Sequence, residues 1–265
     1  MTQPVIAEGL LAWSPARGLT PATEPTAAPL LVADSWLVRD GGVRGLERHR
    51  ERFLRACGEV GGPPLRRLLE FWRDMTDVLP RTGEWFPRVE LAPGSLELRL
   101  LLRHAPPLGT GVRVWAAGQS DPRTVPRRKG PDLDTLARLR ARASGEGAQE
   151  AVLVAPSGSV LEAATASVLW WEGDTLCLPP PRLPVLPGVT VTLLQERARH
   201  EGIQVAHRER TVAELDGHEV WLVNALHGIR PVTQWTGGSL KAAPADRAPE
   251  WRAWLDGIME PLPEK

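Results

Sequence analysis

Apolar side chains recur along the first half of this chain with two different periods. Two stretches repeat them every three to four residues, which is typical of amphipathic helices. Other runs alternate apolar and polar residues between Pro and Gly positions, which is typical of strands. We therefore predict helices over 46–56 and 64–78, strands over 30–38, 86–91, 96–103 and 112–116, and a turn at Gly41-Gly42.

The same two periods continue in the second half. A helix is predicted from Asp132, whose side chain is a suitable cap, and another from the Pro187-Gly188 turn. Trp170 and Trp171 are adjacent in a strand and should pack on its two faces. Helices are predicted over 132–143, 187–200 and 249–259, and strands over 151–155, 160–162, 167–171, 175–178, 203–208, 219–223 and 229–232.

Changes in composition divide the chain. Residues 1–28 are rich in Pro, Ala and Thr and are interpreted as an N-terminal lead-in with little patterning. A small α+β lobe is predicted over 29–118, and a larger lobe over 132–265. The Pro-, Arg- and Gly-rich stretch 119–131 is interpreted as the loop between the lobes.

Composition and charge exclude several classes of function. Lys plus Arg equals Asp plus Glu at 32 each, so no overall field favours nucleic acid or an anionic membrane. Cys57 and Cys177 have no CxxC spacing, so neither a metal site nor a disulfide framework is predicted. The apolar runs are too short to cross a bilayer, and a cytoplasmic location is the default expectation.

Three features carry candidate chemistry. Lys129, one of only three lysines, lies in the loop segment Arg127–Gly130. Glu162 follows the tight turn at Ser157-Gly158, and Leu186-Pro187-Gly188 begins a helix whose free amides suit a phosphate. Taken singly, these are an ordinary basic loop, a surface acid and one helix start among several.

Together, in this order and spacing, these motifs resemble the class IV aminotransferases, the pyridoxal 5'-phosphate enzymes of fold type IV. The segment Glu47–Phe53 resembles the family's His-x-x-Arg helix, and the resemblance spans Ser35 to Val232. It implies an α/β (α+β) fold of two lobes with the cofactor at their interface. It also implies a homodimer that acts on a small-molecule amino substrate.

The resemblance also implies roles for individual residues. Lys129 would hold the cofactor as a Schiff base and move the substrate's α-proton. Glu162 would pair with the pyridine nitrogen. The other cofactor-binding residues implied are Arg52, Gly188, Val189, Thr190, Asn224 and Ala225, and the candidates for the substrate carboxylate are Arg88 and Arg230, with Arg99 and Arg103 also considered.

The family's branches differ after the strand that precedes Asn224. The segment Asn224–Val232 resembles aminodeoxychorismate lyases, which release pyruvate and 4-aminobenzoate, more than it resembles the transaminases that have Gly-Thr there. A transaminase of a small branched-chain or D-amino acid is the first alternative. The second is a degenerate, non-catalytic member, because Ser167 and Val191 stand where Asn and Arg are usual and the chain has no tyrosine.

Overall fold

The computed structural model describes residues 8–22 and 28–264, which divide into two compact units. The first comprises the described residues through Pro107, Arg128–Pro131 and the residues from Met259, and the second comprises Leu108–Arg127 and Asp132–Ile258. The lobe boundaries predicted from composition stay a prediction. In chain order the elements are β1 (Gly9–Ser14), β2 (Gly18–Pro21), β3 (Val32–Ser35), β4 (Val38–Arg39), β5 (Gly42–Val43), α1 (Leu46–Glu59), α2 (Leu65–Val78), β6 (Glu84–Trp85), β7 (Arg88–Leu91), β8 (Leu98–Leu102), β9 (Val112–Ser120), α3 (Leu133–Gly145), β10 (Glu150–Val154), β11 (Val160–Ala163), β12 (Ala166–Glu172), β13 (Thr175–Leu178), α4 (Val189–His200), β14 (Val205–His207), a 3₁₀ turn (Ala213–Leu215), β15 (Val220–Asn224), β16 (Gly228–Thr236), α5 (Ala248–Gly257) and β17 (Glu260–Pro261).

The first unit is built on a five-stranded antiparallel sheet in the order β2-β1-β8-β7-β3. Helix α1 packs against β3 and α2 against β2. Aromatic rings join the two helices, since Phe53 of α1 lies 6.2 Å from Phe71 and 6.1 Å from Trp72 of α2, centroid to centroid. A second small sheet, β17-β5-β4-β6, holds the turn at Asp40 and Gly41, both of which have positive φ.

Part of the lead-in assigned to 1–28 forms strands β1 and β2, although the sequence shows little patterning there. These strands form a hairpin, and β1 also pairs with β8, with Leu11 opposite Leu100. Only Leu11 and Trp13 are buried along β1, so the alternation is too short to stand out. The partner strand that stabilises it lies about 90 residues later. Residues 1–7 and 23–27 lie outside the described residues.

The second unit is a closed barrel with additional edge strands. Its eight strands run in the order β11-β10-β9-β16-β15-β12-β13-β14, and β11 also pairs with β12, which closes the first six into a ring. Strands β9 and β10 are parallel, and α3 forms the crossover between them. The predicted helices and strands of this half all have counterparts, with bounds that differ by a few residues.

Alternation along β12 places its side chains in two different cores, as predicted for the tryptophan pair. Trp170 packs with Val168 and Leu222 in one cluster. Trp171 packs with residues of α4 and α5 in another, where its ring lies 5.6 Å from that of Trp251. Both faces of the strand are therefore buried, which explains its continuous apolar run.

Asp132 lies at the start of α3 but does not cap it, so that part of the prediction is wrong. Its carboxylate accepts hydrogen bonds from Thr124 N and Val125 N, both 2.9 Å, and makes no cap bond to the helix. The loop before the helix competes for the same oxygens.

Among the described residues, no helix combines the length and the apolar character that a membrane crossing requires.

Candidate active site

Lys129 lies beside strand β3 in the first unit. Its carbonyl oxygen accepts a hydrogen bond of 2.8 Å from Ala33 N. The next residue, Gly130, has φ 136°, and a Cβ there would lie 2.9 Å from Ala33 N and from backbone atoms of Val32. Only glycine fits this approach. Gly130 therefore allows the chain at Lys129 to lie against strand β3.

The surroundings of Lys129 favour a neutral amine. Burial lowers the pKa of its ammonium group to about 8, and the guanidinium groups of Arg52, Arg88 and Arg103 lower it too, against the opposing effect of Asp34. At that pKa, about one amine in ten is neutral at pH 7, whereas a solvated lysine is almost wholly charged. A neutral amine is the form that attacks a carbonyl or accepts a proton.

Arg52 and His49 of α1 both bind Asp34, a residue that sequence reasoning did not single out. Arg52 donates from Nε to Oδ2 (2.8 Å) and from Nη2 to Oδ1 (2.7 Å), and His49 Nδ1 lies 2.9 Å from Oδ1. Burial alone would raise the pKa of Asp34, but these two partners hold it well below its usual range. Burial lowers the pKa of His49. The buried carboxylate of Asp34 thus fixes the orientation of the Arg52 guanidinium.

Glu162 of β11 forms the centre of a second group, in the second unit. It is buried and accepts hydrogen bonds from Arg123 and from the Leu186 amide. Burial raises its pKa to about 7, although both partners favour the charged form. Arg123 also binds Asp121, at 2.8 and 2.9 Å, and donates to Pro184 O at 2.9 Å. Arg123 was missed from the sequence because its partner lies 39 positions away.

The start of α4 lies next to Ser167 of β12, which connects it to Glu162. Ser167 is the register partner of both Glu162 and Val223, and a Cβ on Gly188 would lie 3.1 Å from its Oγ. Within residues 8–22 and 28–264 no side chain caps this helix, and its first turn has no acidic residue. Backbone amides in the first turn of a helix have no partner within the helix, so those of Val189 and Thr190 suit an anion. Their role as phosphate ligands stays a prediction.

Asn224 and Ala225 lie where β15 turns into β16. Asn224 Nδ2 donates to Thr165 O at 3.2 Å, and its Oδ1 accepts from the amides of Leu226 and His227 at 3.1 and 2.8 Å. The side chain of Asn224 therefore stabilises the turn. Through β15 the turn lies near Ser167, in the same region as Glu162 and Gly188.

The two arginines predicted to receive a carboxylate each have an internal partner. Arg88 Nη2 lies 2.6 Å from Glu90 Oε1 in the first unit. Arg230 Nη2 lies 3.3 Å from Glu150 Oε1 in the second, and both members of that pair are buried. Their roles as substrate ligands stay predictions.

A family model described as amino-transferase class IV matches residues 31–235. A bifunctional aminodeoxychorismate lyase / D-amino acid transaminase of Mycobacterium tuberculosis is 35% identical over 234 residues, which cover 74% of this chain and 78% of that protein. The chain's fold is similar to that of a branched-chain aminotransferase from Thermoproteus uzoniensis, with TM-score 0.78, 18% identity and coverage of 96% and 99%.

The fold is also similar to that of the PLP-bound form of a hypothetical aminotransferase from Mycobacterium tuberculosis, with TM-score 0.75 and 20% identity over 94% of this chain and 98% of that one. At such identities the structures show a shared fold. The family model and the 35% identical relative also show the family. The chain belongs to the class IV aminotransferases, and it is a pyridoxal-phosphate-dependent enzyme of fold type IV.

Proposed function

We propose that this enzyme is an aminodeoxychorismate lyase, which eliminates pyruvate from 4-amino-4-deoxychorismate and releases 4-aminobenzoate. The observation that carries the proposal is the 35% identical relative, whose name includes that activity. The segment Asn224–Val232 supports it, because it resembles the lyases rather than the transaminases.

The residues present fit a phosphorylated pyridine aldehyde. The first unit offers Lys129, an amine whose pKa is lowered to about 8. The second offers the buried carboxylate of Glu162 and a helix start without a side-chain cap. At that helix start, glycine at position 188 leaves open a space that a Cβ would fill, 3.1 Å from Ser167 Oγ. When bound, pyridoxal phosphate supplies an electron sink for the bond that breaks at the substrate's α-carbon.

Lys129 is the proposed cofactor-holding residue and the proposed base. Its Nζ would accept the proton from the substrate's α-carbon, which requires the neutral amine that burial favours. Asp34 opposes full neutrality, so the amine titrates close to working pH, where proton transfer in both directions is easiest.

Glu162 is the proposed partner of the pyridine nitrogen. With its pKa raised to about 7, the carboxyl group can share a proton with a ring nitrogen of similar basicity. Arg123 would fix the orientation of that carboxyl group, because it is itself held by Asp121 and by Pro184 O.

Arg52 and the amides that follow Gly188 are the phosphate ligands that the resemblance implies, and we propose them as such. Arg52 is directed by Asp34, and the amides of Val189 and Thr190 carry the positive end of the α4 dipole. Asn224 and Ala225 are proposed to line the cofactor through the turn that they form. A homodimer, a cytoplasmic location and a cofactor position shared by both lobes stay predictions from the resemblance.

A D-amino acid transaminase is the second candidate, because the same relative carries both activities in its name. The branched-chain alternative rests on structural neighbours at 18% identity, which show the fold alone. The non-catalytic alternative is not supported, because the family model and the 35% identical relative indicate a pyridoxal-phosphate-dependent enzyme.

Incubation of the cofactor-loaded protein with 4-amino-4-deoxychorismate tests the proposal. We expect pyruvate and 4-aminobenzoate in equal amounts, measured by a coupled dehydrogenase assay and by chromatography. Lys129→Ala should reduce the rate at least about a hundredfold, whereas Lys241→Ala, a matched lysine control, should keep it. Transfer from D-alanine to 2-oxoglutarate without any lyase activity would replace the first candidate by the second. The absence of both activities would refute both.

A further inference from the structure

A buried ion pair lies inside the barrel of the second unit. Glu150 of β10 is wholly buried and Arg230 of β16 is 5% exposed, and Arg230 Nη2 lies 3.3 Å from Glu150 Oε1. Glu150 pairs in register with Val114, and Arg230 pairs with Leu222. Both register partners belong to the apolar cluster that contains residues from all six strands of the ring. Because register partners point to the same side of a sheet, the ion pair points into the barrel.

Glu162 points to the opposite side of the same barrel wall. Its register partner on β10 is Leu153, which packs with Leu139 and Ala143 of helix α3, outside the barrel. Arg230 therefore does not share a face with the carboxylate proposed to bind the cofactor. An ion pair inside an apolar core often contributes less stability than apolar side chains of the same volume. The further contacts of this pair indicate a role other than stability.

The carboxylate of Glu150 binds the turn that joins β11 to β12. Its Oε2 accepts a hydrogen bond of 3.1 Å from Thr165 N, and its Oε1 accepts one from Thr165 Oγ1. Arg140 of α3 lies near the same carboxylate, with Nε 3.5 Å from Oε1. The two arginines, Arg140 and Arg230, therefore compensate the charge of Glu150, and Thr165 supplies hydrogen bonds to both of its oxygens.

The backbone of this turn does not stabilise it well. It is a hairpin of two residues, Ala164 and Thr165, closed by the register pair of Ala163 and Ala166. Two-residue hairpins usually adopt type I′ or II′ turns, which match the twist of the strands and require positive φ. Neither Ala164 nor Thr165 has a positive φ. The bonds from Thr165 to Glu150 therefore hold the turn from outside it.

The position of the turn determines the position of Glu162. Glu162 lies three residues before Thr165, Ser167 lies two residues after it, and Glu162 and Ser167 are register partners. Thr165 O also accepts a hydrogen bond of 3.2 Å from Asn224 Nδ2, which joins this turn to the one at Asn224. A displacement of Thr165 would therefore move the Glu162 carboxylate.

We propose that Glu150, held by Arg230, is a positioning residue that keeps Glu162 aligned with the pyridine nitrogen of the cofactor through the Thr165 turn. The inference rests on the proposed role of Glu162, and it applies equally to a lyase and to a transaminase. It gives Arg230 a role different from the carboxylate binding that the resemblance implies.

Titration of the full-length, cofactor-free protein with pyridoxal phosphate, followed by tryptophan fluorescence, tests the proposal. Thr165→Val removes the hydroxyl that Glu150 binds but keeps the shape of the side chain, so it should raise the dissociation constant about 3- to 10-fold. Thr165→Ser keeps the hydroxyl and should stay within about twofold of the wild type. Glu150→Gln should raise the constant at least about tenfold, because it also removes the charge that Arg230 pairs with.

A cofactor without the ring nitrogen makes the result specific to Glu162. In the deaza analogue of pyridoxal phosphate, carbon replaces that nitrogen, so the contact with Glu162 is lost. The wild type should bind the analogue more weakly than pyridoxal phosphate. Thr165→Val should change binding of the analogue less than about twofold, because the variant and the missing nitrogen act on the same contact.

Arg197→Met is the control for a loss of stability alone. Arg197 is also 5% exposed, and it pairs with Glu201 and Glu250 in the second unit. Its replacement should lower the temperature of thermal unfolding but leave the binding of pyridoxal phosphate within about twofold of the wild type. If Glu150→Gln does not fold, the two Thr165 variants decide the question.

Unchanged binding of pyridoxal phosphate in Thr165→Val would overturn the proposal. An equal loss for the deaza analogue would overturn it too, because the effect would not pass through Glu162. Equal binding of the two cofactors by the wild type would refute the proposed role of Glu162 itself, and the positioning role with it. None of these measurements requires turnover, so a protein that shows the expected binding but no lyase activity would refute the proposed reaction alone.

Discussion

The burial of Glu162 should make the stability of the cofactor-free protein depend on pH. Replacement of Glu162 by Gln should remove this dependence. The pKa of Glu162 is raised by burial from its ordinary 4.5 to about 7. The folded state therefore binds a proton that the unfolded state releases between those values. Stability that depends on this proton is fully present below pH 4.5 and is lost as pH rises through 7.

The size of the effect follows from the shift. One pKa unit corresponds to about 1.4 kcal/mol, so the full shift of Glu162 is worth about 3 kcal/mol. Between about pH 5 and pH 7.5, roughly 2 kcal/mol of this should be lost from the free energy of unfolding of the wild type. The Glu162→Gln variant cannot titrate and should not show that loss. Burial lowers the pKa of His49, but His49 is present in both proteins, so the difference between them reports Glu162.

Urea unfolding of the cofactor-free proteins, followed by tryptophan fluorescence at the two pH values, measures this difference. Glu51→Gln, which removes an exposed carboxylate on α1, is the control and should behave like the wild type. Identical pH dependence in the wild type and Glu162→Gln would refute the reasoning, because it would mean that Glu162 is charged across the whole range. A lower stability of the wild type at pH 5 than at pH 7.5, relative to the variant, would reverse the sign of the shift.

Three more predictions concern the lysine, its carboxylate neighbour and the start of α4. The rate at which Lys129 reacts with pyridoxal phosphate, trapped with borohydride, should rise about tenfold per pH unit and level off above a midpoint near pH 8, because only the neutral amine reacts. A midpoint above pH 10 would contradict the lowered pKa of Lys129. Asp34→Asn should lower the free energy of urea unfolding by about 3–5 kcal/mol, since it removes a buried carboxylate from Arg52, and a loss under 1 kcal/mol would contradict this. Gly188→Ala should lower the free energy of unfolding by about 1 kcal/mol, because the added Cβ crowds Ser167 Oγ. The loss should be smaller in a Ser167→Ala background. Equal losses in both backgrounds, measured by thermal unfolding, would show that this contact is not the cause.

Local patterns predicted most of the elements because each pattern is read within one segment. Helix α2 is one example, since its apolar face recurs within 14 residues. The alternation of Trp170 and Trp171 also has a local cause, because adjacent strand residues point to opposite faces. The hairpin of β1 and β2 was missed because its stability comes from pairing with β8, which no local pattern encodes.

The same difference between local motifs and distant partners applies to the residues of the candidate site. Lys129, Glu162 and Gly188 were predicted because they lie in short motifs whose order matches a family. Arg123 and Asp34 were not, because their importance comes from partners that the fold brings to them. The structure also shows which arginines already have a carboxylate partner. Sequence cannot show this, because Glu150, the partner of Arg230, lies 80 positions away.

Borohydride reduction of the protein loaded with pyridoxal phosphate, followed by peptide mass mapping, tests most directly whether Lys129 holds the cofactor. The chain has three lysines, Lys129, Lys241 and Lys265, so each possible site is distinguishable. The reduced adduct should be found on Lys129 alone and should disappear in Lys129→Ala. An adduct on Lys241 or Lys265 in place of Lys129, or one that persists unchanged in Lys129→Ala, would contradict the assignment.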